Sequence, residues 1–400
     1  MVKRMLYLKT IMAYANKPLV KILTGIRRCG KSTLLDMVKE QLLNEGVNSN
    51  NIIQLNLDSY EYDSIRIGKE LYEIIKSKLT KEKCYVFIDE IQEALEWEKC
   101  INSLMVDFDV DIYITGSNSK LMSSEISTYL TGRYVSIPVY PLSYSEFIEF
   151  KKSNLSYEAG KDYFNEFVQF GGFPAVSMGN YTMSQAYTVV RDIYNSVVFT
   201  DIVKRNNIRK VDLFEKMVKY ILENVGKTFS ANSIIKFLKS EGRTLDIETI
   251  YNYISFLQKA YLIYPANRYD VRGKEILKTQ EKYYLADSTL KFANLGFTPT
   301  ALASILENIV FIELKTRGYQ VYIGKSGTKE IDFVAEKNGE KIYIQVCRNL
   351  PEDSSREIGN LKEIKDNYPK YVLSNDPLDE GNVEGIKIMY LPNFLLKENW

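Results

Sequence analysis

Gly25-Ile26-Arg27-Arg28-Cys29-Gly30-Lys31-Ser32, followed by Thr33, is the stretch whose residue types and spacing most directly imply chemistry. It fits G-x-x-x-x-G-K-[ST], in which a strand stops abruptly and the backbone turns so that successive N–H groups face an anion. Gly25 and Gly30 lack the Cβ that would obstruct that path. Lys31 is expected to reach the β- and γ-phosphates of ATP, and the Ser32 hydroxyl to ligate Mg²⁺. The helical pattern from Thr33 to Leu43 would aim its first N–H groups and its positive dipole end at the same phosphates. Ile26, Arg27, Arg28, Cys29 and Thr33 complete the expected nucleotide-binding set. Arg27 and Arg28 either add phosphate contacts or lie outward in solvent. Cys29 sits where an anion-binding loop would lower a thiol pKa, which predicts sensitivity to peroxide; the alternative is a small residue tolerated at an x position.

A second constellation is Cys84-Tyr85-Val86-Phe87-Ile88-Asp89-Glu90, an apolar strand ending in two carboxylates. Asp89 is expected to orient a water on Mg²⁺, and Glu90 to polarise the water that attacks the γ-phosphate, giving ADP and phosphate. A third strand, Val110 to Thr115, ends in Gly116-Ser117-Asn118. Ser117 is a candidate sensor of the γ-phosphate; as a turn instead, Ser117 or Ser119 would cap a helix. In Leu130-Thr131-Gly132-Arg133, Arg133 is a candidate arginine finger, acting in cis or from a neighbouring subunit, or else a surface charge.

These residues need a scaffold, and alternating strand and helix patterns over residues 1–140 supply one. They predict an α/β fold, a P-loop NTPase core with a parallel sheet that binds ligands at the carboxyl ends of its strands. All three motifs fall at such ends. Residues 141–208 read as a helical lid punctuated by Gly171-Gly172-Phe173-Pro174. Residues 209–281 read as a winged helix. One helix buries Phe214, Met217, Val218, Ile221 and Leu222; a second, capped by Ser230, carries Ile234, Ile235 and Leu238. A third, capped by Asp246, carries Ile250, Ile254 and Leu257, and strands at Tyr261–Arg268 and Glu275–Leu277 follow. From Lys204 to Lys278 there are 15 Lys plus Arg against 8 Asp plus Glu. That basic excess makes DNA a candidate partner of this segment; the other reading is a contact with a protein partner.

The remaining bulk properties narrow the class. Four hundred residues imply several domains, and a formal net charge of +1 gives the whole chain no basic field. With no His, no imidazole base or His-containing metal site exists. Four Cys at 29, 84, 100 and 347 show no paired spacing, which points to a reducing compartment. No signal-peptide pattern and no membrane-length apolar run is evident, so a cytoplasmic location without membrane contact is expected. The oligomeric state is open.

Residues 282–400 form a further α/β pattern whose order resembles the PD-(D/E)XK endonuclease-like fold. That chemistry uses an acid on one strand and a (D/E)-x-K triplet on the next. Asp332 matches the first acid, and Glu307 is a candidate helix acid. The triplet reads Gln345-Val346-Cys347, and Arg348 is one residue out of phase. Gln is a weak Mg²⁺ ligand and Cys supplies no fixed positive charge, so this domain is expected to bind or scaffold, with ATP-dependent DNA cleavage the minor alternative.

Taken together, GIRRCGKSTLL, FIDEIQ, YITGSNSKLMSSE, LTGRY, PLSYSEF, GGFPA and EIDFV…IQVC resemble a family of prokaryotic AAA-type ATP-binding proteins with a C-terminal endonuclease-like domain. The resemblance covers nearly the whole chain. It implies nucleotide and Mg²⁺ roles for Lys31, Ser32, Asp89 and Glu90, a sensor role for Ser117, and places Arg133 in the family's GR element.

Overall fold

The structure, a computed structural model, describes residues 2–117, 129–153, 157–351 and 357–398. The chain divides into two compact units, Met1–Val139 with Lys259–Tyr261, and Tyr140–Gln258 with Leu262–Trp400.

The first unit runs α1 (Met5–Met12), β1 (Val20–Thr24), α2 (Lys31–Asn44), β2 (Ile52–Asn56), α3 (Gly68–Lys78), β3 (Cys84–Asp89), α4 (Trp97–Asp107), β4 (Val110–Gly116) and β5 (Tyr134–Pro138). Its five strands lie in the order β2-β3-β4-β1-β5, and every pairing is parallel. Parallel sheets are covered on both faces, so their strands are near-continuously apolar. Accordingly β1 and β3 are buried at every position. The exception in β1 is Lys21, fully buried, whose ammonium pairs with Asp111 on β4. The Tyr113 hydroxyl donates to Asp111 Oδ2 at 2.8 Å, so the buried charge has the partners that burial demands.

The second unit begins with helices α5 (Tyr144–Ser153), α6 (Phe164–Phe170), α7 (Pro174–Met178) and α8 (Met183–Asn195), followed by a π-helical stretch, Ser196–Lys204. Next come α9 (Val211–Glu223), α10 (Ala231–Ser240), α11 (Ile247–Lys259) and an antiparallel pair, β6 (Ile263–Asp270) and β7 (Glu275–Leu285). Then follow α12 (Thr289–Leu295), α13 (Leu302–Thr316), β8 (Gln320–Ser326), β9 (Lys329–Lys337), β10 (Glu340–Cys347), α14 (Glu357–Lys362), β11 (Lys370–Ser374), β12 (Gly381–Val383), β13 (Ile386–Tyr390) and α15 (Leu391–Leu396). The eight strands form one sheet in the order β12-β13-β11-β10-β9-β8-β6-β7.

The apolar periodicity of residues 211–259 gives three helices whose inward residues, among them Phe214, Met217, Ile234, Leu238, Ile250 and Leu257, are buried. Asp246 accepts from Thr249 N at 2.7 Å and caps α11. Ser230, expected to cap α10, makes no side-chain cap bond, because its side chain does not reach the free N–H groups of the first turn. The short strand expected at Glu275–Leu277 is corrected to Glu275–Leu285. Its extension pairs Lys282, Tyr283, Tyr284 and Leu285 with β6, and β6 in turn pairs in parallel with β8. Lys282 and Tyr284 thereby become sheet residues.

Candidate functional site

The phosphate loop leaves β1 at Thr24. Gly25 has φ +150°, and a Cβ there would lie 2.1 Å from the Val139 carbonyl oxygen. That close approach is fixed by the strand pair itself, since Val139 N donates to Thr24 O at 2.6 Å. Gly30 sits at the N-cap of α2 with φ +101°, a left-handed conformation that glycine adopts without steric cost. Lys31 is only 4% exposed, and its Nζ donates to Gly25 O at 3.0 Å and Ile26 O at 3.1 Å. Ser32 and Thr33 are exposed in the first turn of α2, Arg27 is half-buried, and Arg28 is exposed. Ile26 and Cys29 are fully buried. The expected low thiol pKa at Cys29 is corrected: burial pushes it up, outweighing the charges of Lys31 and Arg4.

The acids stand at neighbouring strand ends. Asp89 closes β3 and Glu90 follows with φ +53°, both buried. The Thr115 hydroxyl donates to Asp89 Oδ1 and accepts from Glu90 N at 3.1 Å, so one side chain of β4 fixes both acidic residues. Gln92 Nε2 donates to Glu90 Oε2. In the sheet register Thr24 pairs with Gly116, Leu23 with Thr115, and Ile88 with Ile114. Gly25, Asp89 and Ser117 therefore meet along one edge, with β4 between the loop strand and the acid strand. Among the described residues Ser117 Oγ, buried there, has no hydrogen-bond partner. Asn118 and Ser119 lie outside the described residues.

Among the described residues no group of three or more His, Cys, Asp or Glu is gathered for a metal. The oxygen donors Ser32 and Asp89 nevertheless suit Mg²⁺, a hard ion held by one or two protein oxygens together with substrate phosphates.

Arg133 is not at this edge. It immediately precedes β5, whose Tyr134 pairs with Val20 and whose Pro138 pairs with Thr24. The guanidinium belongs to the opposite edge of the parallel sheet, where Nη2 donates to Asn102 Oδ1 at 2.6 Å. The expectation of an arginine finger in cis is thereby corrected.

Residue-by-residue reading passed over Thr115, Gln92 and Arg4. Thr115 had a signal, a hydroxyl at the end of a strand destined for the ligand edge. Arg4 had none: it is buried, and its Nη1 donates to Cys29 O at 2.9 Å from just before α1.

In the second unit Glu307, Glu330 and Asp332 cluster with a residue that was not anticipated, Lys282. Its Nζ is 2.7 Å from Glu330 Oε1 and 3.9 Å from Glu307 Oε2. Tyr284 OH donates to Glu307 Oε2 at 3.3 Å. Burial, then the nearby Asp332 charge, push Glu307 up to about 8. Gln345 Oε1 accepts from Asp332 N at 2.6 Å, and Val346 N donates to Asp332 Oδ2 at 2.8 Å. Burial pushes the Cys347 thiol up to about 12, and Arg348 is exposed.

The basic segment is partly neutralised by its own neighbours. Lys216 pairs with Glu241, Arg243 with Asp212 at 3.8 Å, Arg268 with Glu330 at 2.9 Å, and Arg272 with Glu363 at 3.7 Å. On α11 the exposed residues include Ile247 (48%) and Tyr251 (51%), with Glu248 and Asn252 also exposed. Exposed lysines lie on α10, at Lys236 and Lys239. No helix among the described residues is long and apolar enough to cross a membrane.

Residues 17–148 match the AAA domain family, and residues 161–301 match a domain of unknown function (DUF8612). An uncharacterized protein of Haemophilus influenzae is 37% identical over 399 residues, 99% of each chain. An uncharacterized protein of Methanocaldococcus jannaschii is 31% identical over 361 residues, 87% of this chain and 79% of that one. Among solved structures, a Walker-type ATPase of Pyrococcus abyssi is similar in fold, with a TM-score of 0.52 at 16% identity over 73% of this chain and 95% of that one. The chain belongs to the same family as the Haemophilus influenzae and Methanocaldococcus jannaschii proteins, an AAA-type family with its AAA domain at residues 17–148.

Proposed function

We propose that the first unit binds ATP with Mg²⁺ and hydrolyses it to ADP and phosphate. The observation that carries this reading is the common edge formed by Gly25, the Asp89–Glu90 pair and Ser117 at the ends of three adjacent strands. Neighbouring strands are about 4.8 Å apart, so the span from the loop strand to the acid strand is about 10 Å, the scale of a triphosphate. Lys31 exchanges the carbonyls of Gly25 and Ile26 for phosphate oxygens, gaining charge-assisted bonds in place of neutral ones. The N–H groups at the start of α2 face the same oxygens. When bound, Mg²⁺ neutralises charge on the phosphates; Ser32 and Asp89 are the residues that would hold it, Asp89 by orienting a water. Glu90, its carboxylate positioned by Gln92, orients the attacking water, and Ser117 Oγ donates to the γ-phosphate or that water.

The test separates binding from turnover. Lys31→Ala abolishes nucleotide binding, whereas Glu90→Gln keeps binding and lowers the rate of phosphate release by about 10²–10⁴. Equal loss of binding in both variants overturns the division of roles.

We further propose that nucleotide state is coupled to the three-helix and hairpin segment, read as a winged helix whose Lys236 and Lys239 side of α10 contacts DNA. DNA affinity that falls steeply with salt and shifts with nucleotide supports this. A second reading, an ATP-gated contact with a protein partner, is favoured by α11, whose exposed Ile247 and Tyr251 beside Glu248 suit a protein surface better than a phosphate backbone. Absence of measurable DNA binding at low salt selects it.

A further inference from the structure

We propose that a cavity in the second unit, sharing no residue with the phosphate loop, binds a phosphate group. The cavity measures about 600 Å³ and is walled by the C-terminal turn of α9, the end of α12 and the first turns of α13. Its charged lining is Lys227, Lys291, Glu223 and Glu307.

Lys291 is the informative residue. It is only 8% exposed, and its Nζ donates to the Glu223 backbone oxygen at 3.3 Å. Among the described residues it makes no ion pair. Its nearest charged company includes a second ammonium, Lys227, whose Nζ donates to Asn224 Oδ1 at 3.3 Å. Burial depresses the Lys291 pKa, Lys227 depresses it further, and the Glu223 carboxylate offsets only part of this. A buried ammonium beside a like charge is unfavourable unless an anion enters to offset it. The other walls supply that anion only in part. Glu223 is exposed at the rim, and Glu307, held up at about 8, is largely uncharged at neutral pH. A protonated carboxyl donates a hydrogen bond where a carboxylate would repel.

Two features of the backbone fit the same ligand. Gly226, at φ +74°, brings the α9 turn over Glu307; a Cβ there would lie 3.2 Å from Glu307 Oε2. The 15-residue helix α13 starts at the cavity with no side-chain cap, and Ala303 and Ser304 in its first turn line the wall. The volume exceeds what a bare carboxylate fills and accommodates a phosphate with an attached sugar. Two sources of that group share this chemistry, a free nucleotide and the 5′-phosphorylated end of a nucleic-acid strand.

The test uses the full chain carrying Lys31→Ala, so that the phosphate loop does not compete for the probes. AMP, a 5′-phosphorylated trinucleotide and the same trinucleotide with a 5′-hydroxyl are titrated by calorimetry. Saturable binding of the phosphorylated probes is expected, with the 5′-hydroxyl strand at least about tenfold weaker, the effect of losing a charge-assisted contact. Equal affinity for AMP and the phosphorylated strand identifies the free phosphate group as the ligand; tighter strand binding identifies the strand end. Lys291→Met should abolish binding, and Lys227→Ala, on an exposed side chain that folding does not need, should weaken it about tenfold or more. Glu223→Gln should tighten it. No saturable binding, or binding unchanged in Lys227→Ala, overturns the proposal.

Discussion

Lys31 in the first unit and Lys282 in the second are both buried, and the two are partnered in opposite ways. Lys31 donates to two neutral carbonyls of its own loop and makes no ion pair among the described residues. Lys282 sits against Glu330 at 2.7 Å, so its charge is already matched, with Glu307 Oε2 3.9 Å away. A charge held only by carbonyls still gains from a phosphate, while one paired with carboxylates has little left to gain. The first arrangement suits exchange with a ligand. The second suits a fixed tie between the edge strand β7 and β9, even though its acids are the ones a nuclease-like site would use. Lys282 supplies, as protein, the positive charge that the Gln345-Val346-Cys347 stretch lacks.

The comparison breaks most visibly in stability. Lys282→Met removes a buried ammonium from the partly exposed Glu330 and should cost about 2–3 kcal/mol of unfolding free energy, measured by urea titration, the range of a hydrogen bond to a charged group with part of its screening by water retained. Lys31→Met removes bonds to neutral carbonyls and should cost about 1–2 kcal/mol. Comparable losses in the two variants would show that the partners do not distinguish the sites.

A second contrast is in pH. Glu307 titrates at about 8 in the folded chain, above the ordinary 4.5. Between those values the folded state binds more protons than the unfolded one, so stability falls as pH rises from about 4.5 to about 8. The slope from this group is at most about 1.4 kcal/mol per pH unit. Glu307→Gln should flatten that decline, and an unchanged profile would assign it to other groups.

At the phosphate-loop edge, Thr115→Val removes the hydroxyl that ties Asp89 to Glu90 N. Loss of a buried hydrogen-bonded hydroxyl costs about 1–3 kcal/mol. Phosphate release should drop about tenfold, the rate equivalent of about 1.4 kcal/mol, with ATP affinity nearly intact. A larger loss of affinity than of turnover would mean that Thr115 shapes the loop and not the acids.

The two sites also differ in how far sequence alone reveals them. The phosphate loop and the Asp89–Glu90 pair are contiguous, and their chemistry follows from local spacing. Thr115 and Ser117 need only the added knowledge that parallel strands end together. Lys282 was hidden because it meets Glu307 and Glu330 through the pairing of β7 with β6 and of β6 with β8, contacts between residues far apart along the chain. Of the two readings of Cys29 the low-pKa one fails, because a loop motif shows charge but not burial, and burial dominates its thiol. The helices of residues 211–259 were legible from apolar spacing, whereas their extension into an eight-stranded sheet was not, since strand order leaves no local mark.

Arg133 offers the smallest expected effect and the sharpest use of topology. It precedes its strand, and in a parallel sheet whatever precedes a strand lies away from the ligand edge. Four residue steps separate the Val20–Tyr134 pair from the Thr24–Pro138 pair, which at about 3.3 Å each puts Arg133 roughly 13 Å or more from Gly25. Arg133→Ala should therefore change ATP affinity by less than about twofold, the range of surface substitutions away from a site. Its lost bond to Asn102 should cost about 1 kcal/mol of stability. Turnover measured against protein concentration then asks whether a neighbouring copy uses this guanidinium. A large loss of turnover in Arg133→Ala, restored by mixing with Lys31→Ala chains that keep the arginine, would assign it to a second subunit's phosphates and overturn its reading as a strand-end surface group.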